Sequence, residues 1–177
     1  MKTAIVQTGT EVEELLARIS DSANRTRERL SRLLAEEADG LRVLANLKFL
    51  PGGCDPLVHD RPLNLIEQVN QTFTYQASLR AAAWLLDKHP EHAPLRLNLG
   101  TSAGPDIASE DGQLLAEVFA AVDPRNNRKL FKDLERLRLS SARFRYVFYL
   151  SPTNGGKPDH FEVDEIFVRR LWEDAGR

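Results

Sequence analysis

The sequence predicts a mixed α/β fold, a sheet with helices packed on it, preceded by a helical arm. Three observations predict it. Asp111-Gly112 lies between two short apolar-rich runs, and Asp-Gly is among the strongest two-residue hairpin signals. Arg143–Leu150 is a β-branched and aromatic run, separated from that hairpin by a helical pattern. Such a connection joins parallel strands. Upstream, apolar residues recur every three or four positions over tens of residues, the period of an amphipathic helix.

Taken in order, Met1-Lys2-Thr3-Ala4-Ile5-Val6-Gln7 carries one basic residue and a very short apolar stretch, unlike a secretory signal. Thr10-Glu11-Val12-Glu13 has capping-box spacing. Val12, Leu15, Ile19, Ala23, Leu30 and Leu33 then mark the inner face of the arm. Ser20-Asp21-Ser22-Ala23-Asn24 is poor in helix formers, so the arm is expected to break there into two helices. Gly40 is its stop. Residues 41–62 hold Pro51-Gly52-Gly53, Pro56 and Pro62, a linker with one short element over Leu41–Leu50. This divides the chain into an arm and linker, 1–60, and a core, 61–177.

Pro62 opens a long helix, with Ile66, Val69, Phe73, Ala77 and Trp84 as its expected inner face. It stops at His89-Pro90. Leu95-Arg96-Leu97-Asn98-Leu99 alternates with period two, as a half-buried strand does. The loop Gly100–Pro105 is followed by the Asp106–Val122 hairpin. With Asp111-Gly112 as the turn, Ile107 pairs with Ala116 and Asp106 with Glu117. Two carboxylates then oppose each other on one face, which destabilises a sheet unless a cation compensates. Asp123 and Pro124 suit a helix start, and Leu130, Leu134 and Leu137 form its buried stripe beside Lys129, Asp133 and Arg136. After the Arg143–Leu150 strand and a Gly-rich turn, Val163, Ile166, Phe167 and Leu171 read as a last amphipathic helix.

The order α-β-β-β-α-β and the residues Pro105-Asp106…Glu117-Val118-Phe119 resemble the PD-(D/E)XK nuclease superfamily, over about Leu63 to Leu150. The resemblance implies a restriction-endonuclease-like αβββαβ core. It implies that Asp106 and Glu117 bind Mg²⁺, with Mn²⁺ as substitute, and that a Lys two residues after the acid serves catalysis. Phe119 occupies that place. Some members supply the Lys from the next helix, and Lys129 is the candidate, with Lys132 and Arg128 as rivals. If that helix begins at Pro124, Lys129 lies one and a half turns in and points back toward the acids. Glu67 matches an acidic position on the family's preceding helix.

Apolar residues make up 42% of the 177 and charged residues 28%, with a formal net charge of −2, so a nucleic-acid contact requires a local patch. Arg125, Asn126, Asn127, Arg128, Lys132 and Arg136 supply one for the phosphate backbone. A single cysteine, Cys54, excludes an internal disulfide and a Cys-rich zinc site and suits a cytoplasmic setting. No apolar run approaches the ~20 residues of a membrane span. The expected function is a Mg²⁺-dependent endonuclease hydrolysing DNA, of restriction or phage-defence type, acting as a homodimer through the arm. The alternative is an inactive nuclease-like module that binds nucleic acid or a protein.

Overall fold

The structure, a computed structural model, describes residues 3–100 and 103–172 apart from the side chain of Asn127. In chain order the elements are β1 (Thr3–Val6), α1 (Gly9–Glu36), α2 (Gly40–Phe49), β2 (Gly53–Cys54), β3 (Pro62–Leu63), α3 (Leu65–Lys88), β4 (Leu95–Asn98), β5 (Ile107–Ser109), β6 (Leu114–Ala120), α4 (Lys129–Arg138), β7 (Phe144–Leu150), β8 (His160–Val163) and β9 (Ile166–Arg170). They pack as two units. One is Glu13–Gln76; the other combines the residues before Glu13 with those from Ala77 onward.

The second unit is built on a seven-stranded mixed sheet in the order β1-β4-β5-β6-β7-β9-β8. Strands β1, β4, β5 and β6 pair antiparallel in succession. β6 and β7 are parallel, joined by the crossover helix α4, and β7 and β9 are parallel as well. The expected hairpin register is present: Ile107 pairs with Ala116 and Ala108 with Leu115. Gly112 takes the left-handed φ of 69° that the turn requires.

Side chains alternate across the sheet, so β7 and β9 serve two layers. On one face Trp84 of α3 stacks on Phe167 (5.7 Å between centroids) and meets Tyr146 and Phe148 edge-on. Ala81, Ala82 and Leu85 of the same helix are fully buried. On the other face Phe119, Val147, Tyr149, Ile166 and Val168 pack with Leu134 and Leu137 of α4.

Several expectations are corrected. The final segment is a β-hairpin, β8–β9, rather than a helix; Ile166 and Val168 face one side and Phe167 the other, the period of a strand. α1 runs unbroken through Ser20–Asn24, because Ser22 and Thr26 are buried and satisfied by tertiary partners while Ala23 is exposed. In α3, Ile66, Val69 and Phe73 are exposed, and the buried side there is Gln68 and Tyr75. The Pro124 segment forms a turn and a short 3-10 helix, and α4 begins only at Lys129. β1, too short to carry a readable period, pairs with β4 from Thr3↔Asn98 to Val6↔Leu95.

In the Glu13–Gln76 unit the core is polar at its centre. The Gln68 carboxamide oxygen accepts from Thr26 Oγ1 (2.7 Å) and Cys54 N (3.0 Å), and its Nε2 donates to Ser22 Oγ (3.0 Å). Asp55, fully buried, accepts from Leu57 N, Val58 N and Arg61 Nη1. A Cβ on Gly53 would lie 1.8 Å from Gln68 Oε1, an oxygen held by two donors that it would lose by moving. Gly53→Ala is therefore expected to destabilise the protein by about 1–3 kcal/mol, measured as a lowered urea midpoint with unchanged slope.

Candidate functional site

Asp106 stands one residue ahead of β5. Its carbonyl accepts from Asn98 N and its Oδ2 from Val118 N, both at 2.8 Å. The carboxylate thus continues the β5–β6 ladder where the β5 backbone has not begun, and two neighbouring strands pin it. The next outward position of the hairpin register sets Glu117 beside it. Glu117 is only 3% exposed and faces α4, as Phe119 does two residues later.

Glu117 carries the strongest electrostatic signature of the unit. Burial first, and then the neighbouring Asp106 carboxylate, push its acid constant up from 4.5 to about 8. Arg136 opposes this shift, with Nη2 3.3 Å from Glu117 Oε2. Arg136 is itself anchored by Asp133, fully buried on α4, which also accepts from Lys129 Nζ at 2.7 Å. The result is a line of ionisable groups, Lys129, Asp133, Arg136, Glu117, with Asp106 at its end. Glu117 Oε2 and Asp133 Oδ2 are buried without a hydrogen-bond partner among the described residues.

The predicted residues are distributed as follows. Asp106 and Glu117 come together. Lys129, expected one and a half turns into its helix, is the first residue of α4 and pairs with Asp133. The cation beside Glu117 is Arg136, a residue expected on the nucleic-acid surface. Glu67 belongs to the other unit, exposed in the first turn of α3. In the basic segment, Arg125 is spent on Asp123 through its backbone and guanidinium. Arg128, at a left-handed φ of 54°, lays its guanidinium over Phe131. Asn126 is the first residue of the 3-10 helix, whose N-cap is Arg125. Lys132 is exposed and makes no ion pair among the described residues. The side chain of Asn127 lies outside the described residues.

Sequence reasoning missed the role of Asp133. The available signal was its spacing: an acid four residues after Lys129 and three before Arg136 shares a helix face with both, one position from the Leu134 stripe. Phe119 also gains an explanation. It is 5% exposed and stacks on Tyr149 within the core under α4. A lysine ammonium there would replace an aromatic in an apolar layer, and the positive charge near Glu117 comes instead from Arg136 of α4.

Asp106 and Glu117 offer hard oxygen donors suited to a divalent cation of the Mg²⁺ kind, which takes one or two carboxylates and completes its shell with water. Glu117 Oε2, buried and without a hydrogen-bond partner among the described residues, fits such a role. No membrane-spanning helix occurs among the described residues. Comparison with known proteins gives no match to a protein family, a curated protein or a solved structure.

The raised acid constant fixes a pH dependence. The folded protein holds the Glu117 proton up to about pH 8, whereas the unfolded chain releases it near 4.5. Stability from this group is complete below pH 4.5 and is lost as pH rises toward 8. Glu117→Gln is expected to melt higher than the parent in chelator, with a gap that opens between these values and levels off above pH 8. The gain is about 1–3 kcal/mol, read from thermal melts across pH.

Proposed function

We propose that this chain is a metal-dependent endodeoxyribonuclease with a restriction-endonuclease-like core. The observation that carries the reading is the meeting of Asp106, just ahead of β5, with Glu117 of the antiparallel neighbour β6, beside Arg136 of the following helix. The run α3-β4-β5-β6-α4-β7 supports it, since it has the αβββαβ order that the family resemblance implies.

Asp106 and Glu117 would hold Mg²⁺, which when bound polarises the scissile phosphate and acidifies a water. The protein's own groups have distinct parts. Asp106 is ordered in advance by Val118 N, so its carboxylate needs no rearrangement. Glu117 must give up a proton near neutral pH to act as a ligand, which makes function rise with pH toward 8. Arg136, tied to Asp133, offers a guanidinium to charge developing on the phosphate oxygens. Lys129 holds Asp133 and is the remaining cation for orienting the attacking water.

Asp106→Asn and Glu117→Gln are each expected to reduce cleavage of plasmid DNA in Mg²⁺ by ~10²-fold or more, with native circular dichroism. Lys129→Met and Arg136→Met lose activity while retaining DNA binding. Full activity in both carboxylate variants would end this reading.

A binding module without hydrolysis is the second reading, favoured by Phe119 in place of the motif lysine and by the existing Arg136–Glu117 pair. The two readings share the exposed cations Arg128 and Lys132 as phosphate contacts. Substituting either by Ala is expected to weaken DNA binding evenly across sequences and to reduce the log K against log salt slope by about 1. Salt-dependent binding by the parent without cleavage in Mg²⁺ or Mn²⁺ selects the second reading.

A further inference from the structure

The segment between α3 and β4 brings His89, Glu91 and His92 to one point. His89 ends α3, its N–H donating to the Leu85 carbonyl at 2.8 Å. Pro90 then starts a single 3-10 turn, Pro90–His92, so residues 89 and 92 fall one turn apart on the same side. His89 Nδ1 lies 3.5 Å and His92 Nε2 3.7 Å from the same carboxylate oxygen of Glu91. One ligand atom from each residue lies within 4.8 Å of the others. Ligands bound tetrahedrally at ~2.0–2.1 Å stand roughly 3.4 Å apart, so two of the three separations already suit a small dication.

The outer nitrogen of each imidazole is also engaged. His92 Nδ1 lies 2.7 Å from Asp111 Oδ2, and Asp111 accepts in turn from Ser109 Oγ and Gln113 N. His89, 7% exposed, has Nε2 against Tyr146 Oη. If each outer nitrogen donates its N–H, the lone pairs of His89 Nδ1 and His92 Nε2 both face Glu91. A ligand set backed by a carboxylate and a hydroxyl is the arrangement that fixes tautomer and ring orientation in metal centres. Phe144 covers both rings, at 4.4 and 5.2 Å between centroids. On the open side is a cavity of about 270 Å³ lined by Glu91, His92, Ala93, Glu110 and Asp111, room for water to complete the shell.

We propose that His89, Glu91 and His92 form a binding site for a borderline-soft dication of the Zn²⁺ class, distinct from the Asp106–Glu117 pair. Two imidazoles and one carboxylate favour Zn²⁺, Co²⁺ or Ni²⁺ over Mg²⁺ or Ca²⁺. The two sites occupy opposite ends of one hairpin. Asp111 in the turn and the Asp106–Glu117 pair are separated by five residues of strand, roughly 15 Å. The metal would staple the end of α3 to that turn through His92 and Asp111.

The test uses the full chain stripped with chelator and then titrated with ZnCl₂ against a chromophoric competitor, and with CoCl₂ for its visible absorption. One Zn²⁺ per chain is expected, held equally by Asp106→Asn and Glu117→Gln. His92→Ala should abolish the competition, and Asp111→Asn should weaken binding ~10–100-fold. Glu91→Gln, at a side chain 60% exposed and so harmless to folding, should lower affinity at least ~10-fold and alter the Co²⁺ spectrum. Undiminished Zn²⁺ binding in both His92→Ala and Glu91→Gln, loss of binding in the Asp106 and Glu117 variants instead, or no uptake by the parent overturns the proposal.

Discussion

The second unit depends on one constraint: a carboxyl group, Glu117, is kept out of water next to another carboxylate. Neither burial nor a like neighbour favours its ionised form. The antiparallel register of β5 and β6 makes the encounter unavoidable once Asp111-Gly112 turns the chain. The Val118 N–H holds Asp106 in place, so the pair cannot simply splay. The surrounding charges respond to this. Arg136 is drawn to Glu117, a buried Asp133 is needed to hold Arg136, and Lys129 is needed to balance Asp133. Helix α4 thus packs through leucines on one stripe and supplies the electrostatic counterweight on the next.

That counterweight is incomplete. Arg136 sits 3.3 Å from Glu117 Oε2, yet the oxygen has no hydrogen bond, and Asp133 Oδ2 is equally unsatisfied. Buried polar groups in native proteins are nearly always paired, and the exceptions collect where a fold spends stability on something other than itself. A site that charges only when a cation arrives would also couple metal binding to proton release. The same residues therefore account for an unfavourable feature of the fold and for the chemistry proposed from it.

The legible parts of the fold were those governed by local rules. The hairpin could be placed to the residue because Asp-Gly fixes turn and register together, and the α4 stripe because Leu130, Leu134 and Leu137 keep the helical period on the face packed into the core. The misread parts were decided by partners distant in sequence. Ser20–Asn24 stays helical because Ser22 and Thr26 find Gln68 and Cys54. The β8–β9 turn escaped because Asp164 and Glu165 both adopt left-handed φ, 51° and 58°, where a hairpin of this type ordinarily shows Asn or Gly. Arg138 pairs with Asp164 and Arg145 with Glu165, and neither pairing shows in a local pattern. Without a visible turn, Val163, Ile166, Phe167 and Leu171 mimic a helical period.

The candidate site divides in the same way. Asp106 and Glu117 were readable because strand register is arithmetic. The assignment of cations was not, because it depends on where α4 begins and on which residues its first turn aims at the sheet. A start at Pro124 would have carried Lys129 back over the acids; the start at Lys129 hands that place to Arg136, nearly two turns later. On the proposed reading, Phe119 explains why the charge comes from a helix. Its ring is one of the layers that fasten α4 to β6 and β7, so the apolar contact that keeps a charged side chain off this strand position also positions the helix that carries Arg136 to Glu117.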